Sequence, residues 1–132
     1  MTPVYLLDTS TVSEPMKMVP DTALVRKLER HAHESAICAP VWHELQYGCR
    51  LLAVGKKRTA LEVYLKEVVH ASLTVLPYDE VAAAWHGAER ARLEGEGTPV
   101  PFVDGQIAAI AKCRDLILVT ANVKDFRRFE GL

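Results

Sequence analysis

Short apolar runs alternate with segments of helical periodicity, and this predicts an α/β fold with a mostly parallel sheet and right-handed crossovers. The chain has 132 residues. Single domains most often run to about 100–150 residues, so residues 1–132 are read as one domain. Prolines and glycines punctuate the pattern and set several element ends.

Residues 4–7 form an apolar run stopped by Asp8 and read as a buried strand. Residues 9–20 read as a turn region with one short helical turn, broken by Pro15 and Pro20. Asp21 can cap a helix over residues 22–33, with Leu24, Val25 and Leu28 on one face. Residues 35–39 are a second apolar run, and Pro40 suits the first turn of a helix reaching about Val54. Gly55 ends that helix, and another spans residues 57–69. Residues 72–76 are β-prone and close at Pro77, and Asp79 begins a helix over residues 80–93. A Gly/Pro-rich loop, residues 95–101, leads to a helix over residues 103–113. Residues 116–120 are the last strand.

Lys and Arg number 16 against 17 Asp and Glu, a formal net charge of -1. That balance argues against a binder using its whole surface for nucleic acid or acidic membrane, and still permits a locally charged site. No apolar run approaches the roughly 18 residues of a membrane span. The first eight residues lack a positive start and reach an acid too soon for a signal peptide. Cys38, Cys49 and Cys113 are odd in number, widely spaced and set among apolar residues. They predict buried, reduced thiols in a cytoplasmic protein, with neither a disulfide framework nor a zinc knuckle.

Four acids stand at positions of interest. Asp8 follows the first strand, where it suits a turn, a helix cap or a functional role. Glu44, early in the Pro40 helix, borders the face of Val41, Leu45, Gly48 and Leu52. A Glu there costs free energy unless it is paired or holds a metal, although an early-helix Glu also favours the dipole. Asp104 shares the inward stripe of Ile107, Ala108 and Ala111, whereas a capping Asp more often points to the rim. Asp125 follows the last strand by a short loop, residues 121–124, and is ordinary when judged alone. Together the four fall at the carboxyl edge of a parallel sheet, where such folds bind ligands. Gathering like charges is unfavourable, and a hard divalent cation such as Mg²⁺ removes that penalty. Such a site can activate water for displacement at phosphorus.

At these residues the sequence resembles the PIN domain family, in particular its VapC-type ribonuclease toxins. The likeness runs through Leu6-Leu7-Asp8-Thr9-Ser10, then Glu44-Leu45 with Gly48. It continues in Asp104 with Ile107-Ala108-Ala109, and in Thr120-Ala121-Asn122 with Asp125-Phe126. Each piece is weak alone, and the four in order are fairly specific. The stretch from Leu7 to Pro15, with Ser13-Glu14-Pro15, particularly resembles the FitB-like branch. The resemblance implies a three-layer α/β/α sandwich with a sheet of four to five strands. It implies Mg²⁺-dependent endoribonuclease activity on RNA, with Mn²⁺ as a substitute. It also implies a homodimer and a cognate VapB-type antitoxin that blocks the site in a higher assembly. By position, Asp8 and Asp104 match the principal metal-ligand acids, and Glu44 and Asp125 the third and fourth. Thr120 and Asn122 match supporting polar residues. Ser10 stands where many relatives have Asn, and it can still donate a hydrogen bond to Asp8.

His43-Glu44 begins like a zinc-hydrolase motif, but Tyr47 takes the place of its second His. Arg127 and Arg128, just beyond Asp125, are candidates for substrate phosphate. Lys56-Lys57-Arg58 reads first as a solvated loop. Two other functions fit parts of the pattern. One is a haloacid-dehalogenase-like phosphatase with Asp8 as nucleophile, although Ser10 occupies the place of its usual second Asp. The other is a catalytically inactive PIN-like interaction domain, against which retention of all four acids weighs. Without those four, 13 acids remain against 16 basic residues, so an acidic pocket would sit in a mildly basic surface.

Overall fold

A computed structural model describes residues 2–132. The strands are β1 (Tyr5–Leu7), β2 (Ser35–Cys38), β3 (Thr74–Leu76) and β4 (Ile117–Val119). All pair in parallel, in the order β3-β2-β1-β4. Parallel neighbours need long crossovers, and helices supply them. These are α1 (Thr9–Ser13), α2 (Thr22–Arg30), α3 (Ala39–Leu51), α4 (Lys56–Tyr64), α5 (Glu80–Gly95), α6 (Phe102–Cys113) and α7 (Val123–Phe126). Every residue of β2 is buried. Since successive strand residues face opposite ways, both sheet faces must be covered, which is the three-layer α/β/α sandwich.

The strand order carries the functional consequence. The chain runs from β1 outward through β2 to β3, then crosses back to place β4 on the other side of β1. The winding therefore reverses between β1 and β4, and their carboxyl ends flank a crevice. Helices α3 and α6 meet beside it, with α5 packed on α6. Leu6, Ile37, Val41, Ile107 and Ile110 are fully or almost fully buried beneath. Removing most of one such side chain typically costs about 2–5 kcal/mol.

Several ends differ from expectation. Helix α2 stops at Arg30, and a 3-10 turn, Ala32–Glu34, leads into β2. Helix α3 stops at Leu51, since Leu52 turns extended, so Leu52 leaves the face assigned to it. Gly55 then precedes α4 as its cap instead of ending α3. The helix expected over residues 57–69 is α4 followed by a π-helical stretch, Leu65–His70, which apolar spacing does not signal. Asp125 lies within α7 rather than after a plain loop. Cys38 and Cys49 are buried as expected, but Cys113, at the end of α6, is exposed.

The α5–α6 contact is tight at one point. A Cβ on Gly105 would overlap Nε2 of His86 and stand 2.6 Å from its Cδ2. His86 is buried and its Nδ1 pairs with the Tyr78 hydroxyl at 2.8 Å, so the ring has little room to retreat. Gly105→Ala should therefore destabilise the protein by about 1–3 kcal/mol through overpacking. Urea unfolding measures this, and a change below about 0.5 kcal/mol would contradict the tight contact.

Candidate active site

Asp8 leaves β1 at the crevice and is buried. It also caps α1, so the local and the functional readings of this residue coincide. Its Oδ1 accepts from the Thr11 N–H at 2.9 Å and from the Ser10 hydroxyl at 3.2 Å. Its Oδ2 accepts from the Thr120 hydroxyl across the crevice. The Asp8 N–H donates to the Val119 carbonyl at 3.3 Å, extending the β1–β4 ladder to the site. A carboxylate has about four acceptor positions, so these three bonds leave capacity for a cation.

Glu44 projects from α3 and is half-buried. Its Oε1 accepts from the Thr9 hydroxyl at 2.5 Å. Thr9 is a positioning residue that sequence reasoning did not single out, although it sits in the hydroxyl run Thr9-Ser10-Thr11 after the first acid. Asp125, in α7, accepts on Oδ2 from the Asn122 side-chain amide at 2.8 Å. The Asn122 N–H in turn donates to the Thr120 hydroxyl oxygen at 2.9 Å, linking α7 back to Asp8.

Asp104 ties the group together. It lies in the first turn of α6, half-buried beside Ile107 and Ala108. Burial pushes its carboxyl above the usual carboxylate range, and the charges of Glu44, Asp125 and Asp8 push the same way. Asp104 therefore lies within electrostatic range of the other three acids. No hydrogen bond from the described residues offsets this shift.

The donors are carboxylate, hydroxyl and amide oxygens, which suit a hard cation rather than zinc. Among the described residues no group of three or more His, Cys, Asp or Glu side chains stands close enough together to hold a metal ion as placed. Mg²⁺ keeps waters and uses few protein ligands, so the chemistry of these donors, rather than a complete ligand set, is what would suit it. Of the two arginines, Arg128 Nη2 lies 3.9 Å from Asp125 Oδ1. Arg127 lines a groove along the outer edge of β4 instead. His86 is the buried histidine among the described residues.

The arrangement of acids and the order of strands meet in a comparison with known families, in which residues 5–132 match the PIN domain. The chain belongs to the PIN domain family. This PIN domain is 32% identical over 126 residues to the toxin FitB of Neisseria gonorrhoeae, covering 93% of this chain and 91% of that one. It is 32% identical over 129 residues to a tRNA(fMet)-specific endonuclease VapC of Salmonella typhimurium, covering 97% and 93%. It superposes on FitAcB from Neisseria gonorrhoeae with a TM-score of 0.87 at 30% identity, covering 96% and 94% of the two chains. DNA-bound VapBC from Salmonella typhimurium gives 0.85 at 29% identity, covering 99% and 96%. Membership in the PIN family leaves no support for the phosphatase reading.

The raised Asp104 has a consequence for stability. A carboxyl whose pKa rises on folding binds its proton more tightly in the native state. Stability is then greatest below its ordinary value of 3.8 and falls as pH rises through the native value. Without divalent cations, Asp104→Asn should melt above the wild type at pH 7, and the two should converge below about pH 4. A wild type at least as stable as the variant at pH 7 would contradict the shared repulsion.

Proposed function

We propose that this PIN domain is a Mg²⁺-dependent endoribonuclease, with Mn²⁺ as a substitute, and the toxin of a toxin–antitoxin pair. The observation that carries the reading is the hydrogen-bonded linkage of Asp8 and Asp125 through Thr120 and Asn122 at the end of the sheet, with Asp104 within range of their charge. The relatives named as a FitB toxin and VapC ribonucleases support it. Structures of FitAB and VapBC complexes support a VapB-type antitoxin as partner. A homodimer, a higher assembly with antitoxin and a cytoplasmic setting complete the proposal. Among the described residues no helix is long and apolar enough to cross a membrane.

Asp8, Glu44, Asp104 and Asp125 would hold the cation. When bound, it supplies neutralisation of the phosphodiester charge and activation of a water for attack at phosphorus. The protein's own groups prepare that event. Thr120, Ser10 and the Thr11 N–H fix both oxygens of Asp8. Thr9 orients Glu44, and Asn122 orients Asp125. Arg127 and Arg128 are exposed and offer charge-assisted contacts to neighbouring phosphates.

The direct test is cleavage of a panel of structured RNAs by purified protein, with and without EDTA. Asp8→Asn and Asp104→Asn should each lose at least ~100-fold in rate, and EDTA should abolish the wild-type activity. Full activity in either variant, with contaminating nuclease excluded, would refute the assignment. For the toxin role, expression should arrest growth unless Asp104→Asn is present, and unimpaired growth would count against it.

A further inference from the structure

The carboxylate cluster accounts for Asp8, Glu44, Asp104 and Asp125, but two further carboxylates, Glu14 and Glu89, are buried outside it. Glu89 lies on α5 and is 7% exposed. Burying a charge is costly unless it is fully paired, and here two neighbours pair it. Arg92 donates from Nε to Glu89 Oε2 at 2.6 Å and from Nη2 to Oε1 at 3.1 Å. The N–H of Glu130 donates to the same Oε1 at 2.7 Å. This pairing holds the Glu89 carboxyl below the usual range, so it stays ionised at neutral pH.

The pair also reaches across to the end of the chain. Arg92 Nη2 donates to the Arg128 carbonyl at 2.8 Å. Two α5 side chains thus grip the backbone on either side of Phe129. Phe129 itself is buried, with its ring 6.0 Å from Trp85 and 6.3 Å from Phe126. The segment held this way is the one that carries Asp125 and Arg128. Helix α7 has four residues, too few to hold its own conformation. Apolar anchoring by Phe126 and Phe129 fixes its depth but is non-directional. Charge-assisted, two-pronged hydrogen bonds supply direction.

We propose that Glu89 and Arg92 are positioning residues that aim Asp125 and Arg128 at the crevice. The proposal rests on the ribonuclease reading for its chemistry, and its geometry is testable apart from it. Glu89→Gln removes the charge at nearly constant volume, and Arg92→Lys keeps the charge while removing the fork. Two readouts apply to the full chain. In metal-free protein, the Asn122 side-chain amide resonances report its bond to Asp125. In titrations with Mn²⁺ alone, calorimetry reports the assembled acids, and RNA cleavage reports kcat/KM.

In both variants the Asn122 side-chain resonances should move towards free-amide positions, while Mn²⁺ affinity and kcat/KM fall about 10–100-fold. Unchanged Asn122 resonances, or unchanged Mn²⁺ affinity, in a folded variant would overturn the proposal. Should Glu89→Gln fail to fold, Arg92→Lys decides. Failure of both to fold also overturns it, because the pair is then purely structural. If the wild type neither binds Mn²⁺ nor cleaves RNA, the ribonuclease reading falls and the Asn122 resonances alone decide the positioning.

Discussion

The charges of Glu44, Asp125 and Asp8 act against the ionised form of Asp104, and the fold holds these acids at the edge of its sheet. For scale, two like charges about 6 Å apart repel by roughly 3 kcal/mol at an effective dielectric near 20. The dipole of α6 favours Asp104 in its first turn, but such an effect is worth only about 0.3–1 kcal/mol. Hydrogen bonds from Thr9, Ser10, Thr11, Thr120 and Asn122 stabilise the other three acids without removing their charge. A divalent cation would change that balance, which is the basis of the proposed chemistry.

The rest of the molecule is organised around that convergence. Reversal of the winding between β1 and β4 opens the crevice, and the four acids reach it from the end of β1 and from α3, α6 and α7. Gly105 lets α6 settle against His86 one residue from Asp104, so close packing on α5 determines where that acid stands. Helix α5 serves the far side as well, through the grip of Glu89 and Arg92 on residues 128–130. One helix thereby braces two of the four acids without contributing a ligand itself.

Much of this was legible in the sequence, for physical reasons. Asp8 ends an apolar run, and Asp104 interrupts an inward stripe, so the cost of each position marks it as purposeful. The alternation of elements led to the parallel sheet, and that sheet led to its carboxyl edge. Other features left no local trace. The π-helical stretch at Leu65–His70 keeps the apolar spacing of an α-helix closely enough to pass for one. Helix α7 is too short to show periodicity, so Asp125 read as a loop residue. Cys113 has apolar neighbours in sequence, yet it lies at the end of α6 where the helix leaves the core. Thr9 and Glu89 act through partners 35 and 41 residues away, a distance that spacing cannot see.

The central claim is that a cation relieves strain which the protein alone leaves in place. The measurement that tests it most directly is the melting temperature of wild type and Asp104→Asn across a Mn²⁺ titration, against KCl at matched ionic strength. Selective binding to the native state stabilises by about 2.7 kcal/mol at a hundredfold excess over Kd. The wild type should therefore rise in Mn²⁺ well beyond its response to KCl, and Asp104→Asn should lose most of that difference. Equal responses to Mn²⁺ and KCl in the wild type, or an undiminished Mn²⁺ response in the variant, would contradict the account.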